Sequence, residues 1–266
     1  MNTTPYKYKK DLDLALEAVK KSGKIALARF GKQQKIWEKS KENWVCEADK
    51  EVDDTLKKHL TAARPSYGWL SEETVDNGLR ENCLRTWIVD PIDGTSSYLQ
   101  GIAEFAISVA LVESGKPIIG IVFNPASNEL FIASKGNGAT LNGKKLSVTN
   151  TDTGQNLHIL SSRSENRESG WPKLFTNDNV TVVSSIAYKF ALVAAGQYDV
   201  AASVWPKNDW DICAGHLLVE EAGGTVSALD GSPLVYNCSS PRHLTCAASN
   251  GKIHSSILKR LQIFHN

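Results

Sequence analysis

The chain has 266 residues, 41% of them hydrophobic and 22% charged, which is enough apolar material for a substantial core and excludes a disordered chain. Thirty basic against 29 acidic residues leave a formal charge of +1, so no global field draws the protein to nucleic acid or to a membrane, and any binding specificity is local. No run reaches the ~18 apolar residues of a membrane span, and the opening stretch carries Lys and Asp where a signal peptide needs an apolar run, so the sequence reads as cytoplasmic with no membrane partner. The apolar positions Leu12, Leu16, Val19, Gly23, Ala26 and Phe30 recur at steps of three and four and predict an amphipathic helix ended by Gly31. A second helix is predicted from about Ala48 to Ala63 through Val52, Leu56 and Leu60, closed by "RPSYG". From "YGWLSEE" onward the period changes. The runs "TWIVDPID", "EFAISVALVES", "KPIIGIVFNPA", "NELFIASKG" and "GATLNGKKLSV" are β-rich and separated by Gly, Pro and Asn, which predicts a sheet built largely of hairpins. The polar, aperiodic stretch from Thr149 to Asn156 marks an expected seam between halves 1–150 and 151–266. Beyond it, strand-like "NLHILSS" and "NVTVVSS" alternate with helical "SSIAYKFALVAAGQ" and "DICAGHLLVEEAGG", so the first half reads as α+β and the second as α/β. Cys46, Cys83, Cys213, Cys238 and Cys246 are odd in number and lack any C-x-x-C pair, which predicts reduced thiols rather than a disulfide framework or a zinc site.

In "WIVDPIDGT" Asp90 and Asp93 flank a Pro-Ile pair at the end of an apolar run, and Gly94 and Thr95 follow at once. Glu72 and Glu73 of "GWLSEET" are further acids at the end of a predicted strand. Carboxylates clustered in apolar surroundings repel and take up protons unless a hard cation neutralises them, which two Mg²⁺ ions would do. The Pro91-Ile92 turn is expected to bring both Asp side chains to one side and to free the Ile92 carbonyl as a ligand. Gly94 lets the backbone approach an anion, and the N–H groups of Gly94 and Thr95 would open a helix whose positive end accepts phosphate. An isolated D-P-x-D-G is more often a tight turn whose Asp side chains cap local N–H groups. A second acid-bearing segment, "NDWDICAGHLLVEEAGG", with Asp211 at a helix start, tips the balance toward metal and phosphate. The D-x-D spacing of a nucleophilic-aspartate phosphatase is not present at "DPIDGT", nor does the chain carry a C-x₅-R loop or a G-x-S-x-G elbow.

Taken in order and separation, "SEET", "WIVDPIDGT", "GIVFNPASNELFIASKGNGATLNG" and "WDICAGHLLVEEAGG" resemble the inositol monophosphatase family of Mg²⁺-dependent, lithium-sensitive phosphatases over nearly the whole chain. The resemblance implies an αβαβα layered sandwich with an antiparallel sheet in the first half, a homodimer, two to three Mg²⁺ ions and a small-molecule phosphate ester as substrate. By the same resemblance Glu72 is a metal ligand and counts among the catalytic groups, Asp90 bridges two metals, Ile92 gives its carbonyl, and Asp93 and Asp211 complete the second metal site and border the substrate. Asp49 and Thr95 would hold and activate the attacking water, while Gly94 and Thr95 cradle the phosphate. The substrate wall departs from the inositol-specific pattern, because the position of the acid that grips ring hydroxyls falls at Ser203. Lys189 beside Phe190 looks more like the bacterial 3′(2′),5′-bisphosphate nucleotidase branch, where a Lys serves a second phosphate, but a snorkelling, solvated Lys fits as well. Lys207, Asn208 and Arg163 read either as substrate contacts or as solvated loop residues. The expected function is hydrolysis of inositol 1-phosphate or a related polyol phosphate. The nucleotidase is the alternative, and a regulatory protein of the extragenic-suppressor type, binding RNA or the transcription machinery, is the alternative of another class. No basic, aromatic surface that would hold RNA is visible in the sequence, so nucleic acid is not an expected partner.

Overall fold

The computed structural model describes residues 7–40, 43–168 and 170–262; residues 1–6 of the first expected half and 263–266 of the second lie outside them. Helix α1 (Lys9–Arg29) buries Leu12, Ala15, Val19, Ser22, Gly23 and Ala26, a stripe at steps of three and four. It packs beside α2 (Glu47–Ala63), whose buried stripe is Ala48, Val52, Leu56 and Leu60. Both predicted helices are present and begin slightly earlier than their apolar periodicity suggests. Between them runs a hairpin of β1 (Ile36–Ser40) and β2 (Asn43–Cys46). At Gly23 a Cβ would come within 2.2 Å of the Phe123 ring, so glycine is what lets α1 close on the sheet.

That sheet has seven strands in chain order: β3 (Gly68–Ser71), β4 (Arg85–Asp93), β5 (Ala106–Glu113), β6 (Lys116–Asn124), β7 (Glu129–Ser134), β8 (Ala139–Leu141) and β9 (Lys144–Lys145). All neighbours are antiparallel except β3 and β4, which are parallel and joined by a longer crossover. Side chains alternate along the strands as a sheet covered on both faces requires. Trp87, Val89, Ile107, Val109 and Leu111 join α1 and α2, whereas Ile88, Ala106, Ala110 and Val112 face the other way. The opposite face is covered by α6 (Ile186–Ala194) and α7 (Asp209–Glu221). At Gly120 a Cβ would stand 2.5 Å from the Ala214 carbonyl oxygen, so α7 lies almost directly on β6.

Behind α6 and α7 stands a second sheet in the order β11 (Asn179–Val182), β10 (His158–Ser161), β12 (Val200–Ser203), β16 (Cys246–Ser249), β14 (Thr225–Ser227). β10 is parallel to both its neighbours, and β16 is antiparallel to both of its own. Its outer face is covered by Trp171 and Phe175, in and just after α5 (Trp171–Leu174), and by Ile257 and Leu261 of α8 (His254–Leu261). The layers therefore run helix, sheet, helix, sheet, helix, the expected αβαβα sandwich. The short helices α3 (Thr95–Leu99) and α4 (Arg163–Glu168), and a two-residue ladder of β13 (Lys207–Asn208) with β15 (Arg242–His243), border one cleft. All five cysteines are free thiols, and no described helix is long and apolar enough to cross a membrane.

Candidate active site

Two carboxylates three positions apart on a regular strand would point to opposite faces. A bulge in β4 prevents this. Asp90 pairs with Ser108 and Asp93 with Ala106, so β4 spends one residue more than β5 over the same interval and the two acids emerge on one side. Pro91, which has no N–H to give a ladder, sits inside the bulge, and the Ile92 N–H turns back to Asp90 Oδ1 at 3.0 Å. Gly94 then adopts φ +95°, and a Cβ there would fall 2.8 Å from the Glu104 carbonyl oxygen, so glycine is required both by conformation and by space. Thr95 opens α3 and places its hydroxyl 3.0 Å from the Ile92 carbonyl and 3.1 Å from Asp49 Oδ1.

Asp211 arrives from the other side of the cleft. It is the third residue of α7 and accepts the Asn208 N–H at 2.6 Å, a capping box that fixes its carboxylate at the helix start. Asp49 occupies the same position in α2, accepting from the Cys46 N–H at 2.8 Å with the Cys46 thiol also 2.8 Å away. Asp93 is anchored through Oδ2 alone, by the Ser185 hydroxyl at 2.6 Å and the Ala187 N–H at 2.7 Å at the start of α6. Asp90, Asp93 and Asp211 each offer an oxygen within 4.8 Å of the others. Glu72, directly after β3, lines the same cleft outside that tight group.

Burial and mutual repulsion perturb Asp49, Asp90, Asp93 and Asp211. Asp90 is held well above the usual carboxylate range by burial and then by Glu72, Asp93 and Asp211. Asp93 is raised by burial against the pull of Ser185 and Ala187, and Asp211 is pushed up to about 8 by burial and Asp93. Asp49 is pushed up to about 6, chiefly by burial. The donors are all hard oxygens crowded into one place, and such a set fits a divalent cation that restores the charged form of each acid.

The cleft encloses about 640 Å³ and is lined by Glu72, Asp90, Ile92, Asp93, Gly94, Thr95, Lys207 and Asp211, so eight of the ten expected site residues share it. Asp49 lies just beneath, 1% exposed, and reaches the cleft through Thr95. Lys189 requires a correction. It is 1% exposed, in the middle layer between the sheets, where it faces Glu165 and Asp93, and burial lowers its pKa. It is not a solvated side chain, and it does not line the cleft. Ser203 is likewise fully buried, donating to Glu165 Oε1 at 2.6 Å beneath the wall rather than standing on it.

Arg163, a possible contact in the sequence, stands on the wall, and residues that the motifs do not single out complete it. Arg163 and Arg167 line the cleft one helical turn apart on α4, a spacing readable as i and i+4 in "SRSENR". Trp44 reaches the cleft from β2. Arg163 bonds Ser97 Oγ at 3.1 Å and the Ser184 hydroxyl, and pairs with Glu104 at 2.9 Å. Glu165, on the buried side of α4, accepts from Ser162, Ser203 and Val204 and so fixes this wall.

The model of the inositol monophosphatase family matches residues 7–264. The chain belongs to the inositol monophosphatase family. Membership makes it a phosphoric monoester hydrolase by class, in a family that is generally metal-dependent. Relatives include an inositol-1-monophosphatase of Mesorhizobium japonicum, 35% identical over 83% of this chain and 86% of its own length. The Nus factor SuhB of Xylella fastidiosa is also 35% identical, over 83% of this chain and 82% of its own length. Among solved structures, an IMPase of Thermotoga maritima superposes with a TM-score of 0.85 at 28% identity, covering 96% of this chain and 98% of that one.

Proposed function

We propose that the protein hydrolyses a small-molecule phosphomonoester in a Mg²⁺-dependent reaction, with inositol 1-phosphate or a related polyol phosphate as substrate. The observation that carries this is the convergence of Asp90, Asp93 and Asp211 from two sheets' worth of intervening chain onto one point beside Thr95 and Asp49. Asp90, Asp93, Asp211, Glu72 and the Ile92 carbonyl are the groups that would hold Mg²⁺. When bound, Mg²⁺ lowers the pKa of a coordinated water and neutralises charge on the phosphate and the leaving oxygen.

The remaining work falls to the chain itself. The Thr95 hydroxyl carries one proton and stands between two acceptors, so when the Ile92 carbonyl is engaged elsewhere that proton goes to Asp49 Oδ1 and the Thr95 oxygen is left to accept from the attacking water. Cys46 and the start of α2 hold the other oxygen of Asp49, which fixes the direction of proton transfer. Ser185 and Ala187 bind one oxygen of Asp93 and leave the second to face the cleft. The Gly94–Thr95 turn brings backbone N–H groups close to the phosphate without a side chain intervening.

The same family resemblance supports a homodimer, cytoplasmic location and inhibition by lithium. Phosphate release from inositol 1-phosphate and other polyol phosphates, with Mg²⁺ and then with chelator, tests the reading. Release unaffected by thorough chelation would refute the metal assignment, and no release from any phosphomonoester would refute the activity. For the regulatory alternative, weak RNA affinity that vanishes at physiological salt is expected, and tight, salt-resistant RNA binding by Asp93→Asn protein would favour that class instead.

A further inference from the structure

Asp90, Asp93 and Asp211 are braced at their own carboxylates, Asp90 by the Ile92 N–H, Asp93 by Ser185 and Ala187, and Asp211 by the Asn208 N–H. Glu72 is held through the chain on either side of it. Strand β3 ends at Ser71, and the Glu72 N–H carries the pairing one step further by donating to the Val89 carbonyl at 3.2 Å, beside Asp90. We propose that Asp53, which does not line the cleft, is a positioning residue for Glu72 and through it for the affinity of the site for Mg²⁺. This rests on the metal reading above and extends it to a residue that touches neither metal nor substrate.

The clamp is made by one carboxylate and two hydroxyls. Asp53, on α2, is 4% exposed; its Oδ1 accepts from the Ser71 hydroxyl, and its Oδ2 accepts from the Thr74 hydroxyl at 2.7 Å. Ser71 and Thr74 stand directly before and after the Glu72-Glu73 pair, so a single buried side chain ties both ends of the segment that carries these acids. Ser71 Oγ also accepts the Glu73 N–H, and Thr74 Oγ1 the Trp69 indole N–H, each at 3.3 Å, which fixes where both hydroxyls sit. With both ends anchored and the Glu72 N–H bound to β4, the backbone has little freedom to swing the Glu72 carboxylate out of the cleft.

Asp53 follows Asp49 by one helical turn, and both lie on the buried side of α2. Asp49 meets the Thr95 hydroxyl at 3.1 Å, while Asp53 meets the segment bearing Glu72. One helix therefore sets the spacing between the Thr95–Asp49 pair and a metal ligand.

An ionised carboxylate suits this clamp because it only accepts, and both of its partners have a proton to give. Asparagine would turn an amide NH₂ toward one of the two hydroxyls, and alanine would release both. Mg²⁺ demands oxygens at about 2.0–2.1 Å in near-octahedral order, so a ligand whose backbone is loosened costs affinity even though its own side chain is untouched. Changes to groups that orient a ligand typically cost about 10–100-fold in metal affinity or activity.

The experiment is calorimetric titration of Mg²⁺ into the full chain, without substrate, for wild type, Asp53→Ala, Thr74→Val, Glu72→Gln and the Asp53→Ala/Glu72→Gln double variant. A melting temperature in chelator identifies any variant that fails to fold. Asp53→Ala is expected to raise the Mg²⁺ dissociation constant by roughly ten- to hundredfold, and Thr74→Val by less, because Ser71 then keeps its bond to Asp53. In the Glu72→Gln background, which retains the Asp90, Asp93 and Asp211 oxygens, Asp53→Ala is expected to have little further effect, since the ligand it positions is already gone. A general loosening of the fold would instead weaken binding equally in both backgrounds. Equal losses in the two backgrounds, or no loss in folded Asp53→Ala, overturn the assignment while leaving the metal reading in place. Should Asp53→Ala fail to fold, or Glu72→Gln bind too weakly to compare, Thr74→Val decides: a raised dissociation constant at an unchanged melting temperature supports the clamp, and an unchanged constant overturns it. No Mg²⁺ binding by the wild type overturns both readings.

Discussion

Metal removal should turn the active-site acids into a pH-dependent liability for the fold. Asp49 rises from an ordinary 3.8 to about 6 because it is buried, so the folded protein binds its proton more tightly than the unfolded chain does. A folded pKa above the unfolded one gives a contribution that is fully present below 3.8 and is lost as pH rises through 6. For this residue alone the difference is about 3 kcal/mol. Asp211, pushed up to about 8, extends the window of loss to that pH. In chelator the protein should therefore be most stable below about pH 4 as far as these groups are concerned, and should weaken steadily from there up to about pH 8. At ~2–4 °C per kcal/mol for domains approaching this size, Asp49 alone would lower the melting temperature by about 6–12 °C. Saturating Mg²⁺ should abolish most of that slope, since bound cation favours the charged carboxylates at every pH above their own depressed values. Differential scanning calorimetry at half-unit pH steps, with chelator and with Mg²⁺, measures both curves. Parallel curves, or a chelated protein that gains stability from pH 5 to pH 8, would show that these carboxylates are not buried against one another as described.

Much of this arrangement is legible in the sequence because it is local. The D-P-I-D-G-T segment carries its own geometry: a proline that cannot join the ladder, a bulge that realigns two acids, and a glycine with positive φ. The capping boxes around Asp49 and Asp211 are equally local, each spanning a single helical turn. Lys189 lies buried rather than solvated for a physical reason that the sequence does contain. α6 reads "IAYKFALVA", apolar on every side, and a helix of that kind lies between two sheets with no solvated face for a Lys to reach. The basic wall was less accessible to reading. Arg163 and Lys207 stand out in the sequence as possible contacts, but what fixes the wall does not, because Arg163 depends on Ser97, Ser184 and Glu104, and Glu165 on Ser203, all partners distant in the chain.

Asp93→Asn and Asp211→Asn should each lower turnover by orders of magnitude while the chelated variants melt no lower than wild type, because each change relieves carboxylate repulsion; full activity in either would remove that residue from the metal set. Gly120→Ala should cost about 1–3 kcal/mol in a denaturant titration, toward the upper end because the clash is with the Ala214 carbonyl rather than a movable side chain, and an unchanged midpoint would contradict the close seating of α7 on β6. The last expectation concerns the buried charges beneath the wall. Glu165 is fully buried, its pKa is lowered despite burial, and Lys189 is the foremost charge opposing that burial. Removing one member of such a pair strands the other in the interior, so Glu165→Gln should cost on the order of 3 kcal/mol, although glutamine can keep part of the bonding to Ser162 and Ser203. Lys189→Met alone should cost a comparable amount, since Glu165 then keeps its hydroxyl partners and loses its countercharge. Combining the two leaves no stranded charge, and the double variant should be more stable than the sum of the single losses predicts, by at least about 1 kcal/mol in a double-mutant cycle. Strict additivity of the two losses would mean that Lys189 answers to Asp93 rather than to Glu165, and that the wall and the metal-binding floor are not joined through this pair.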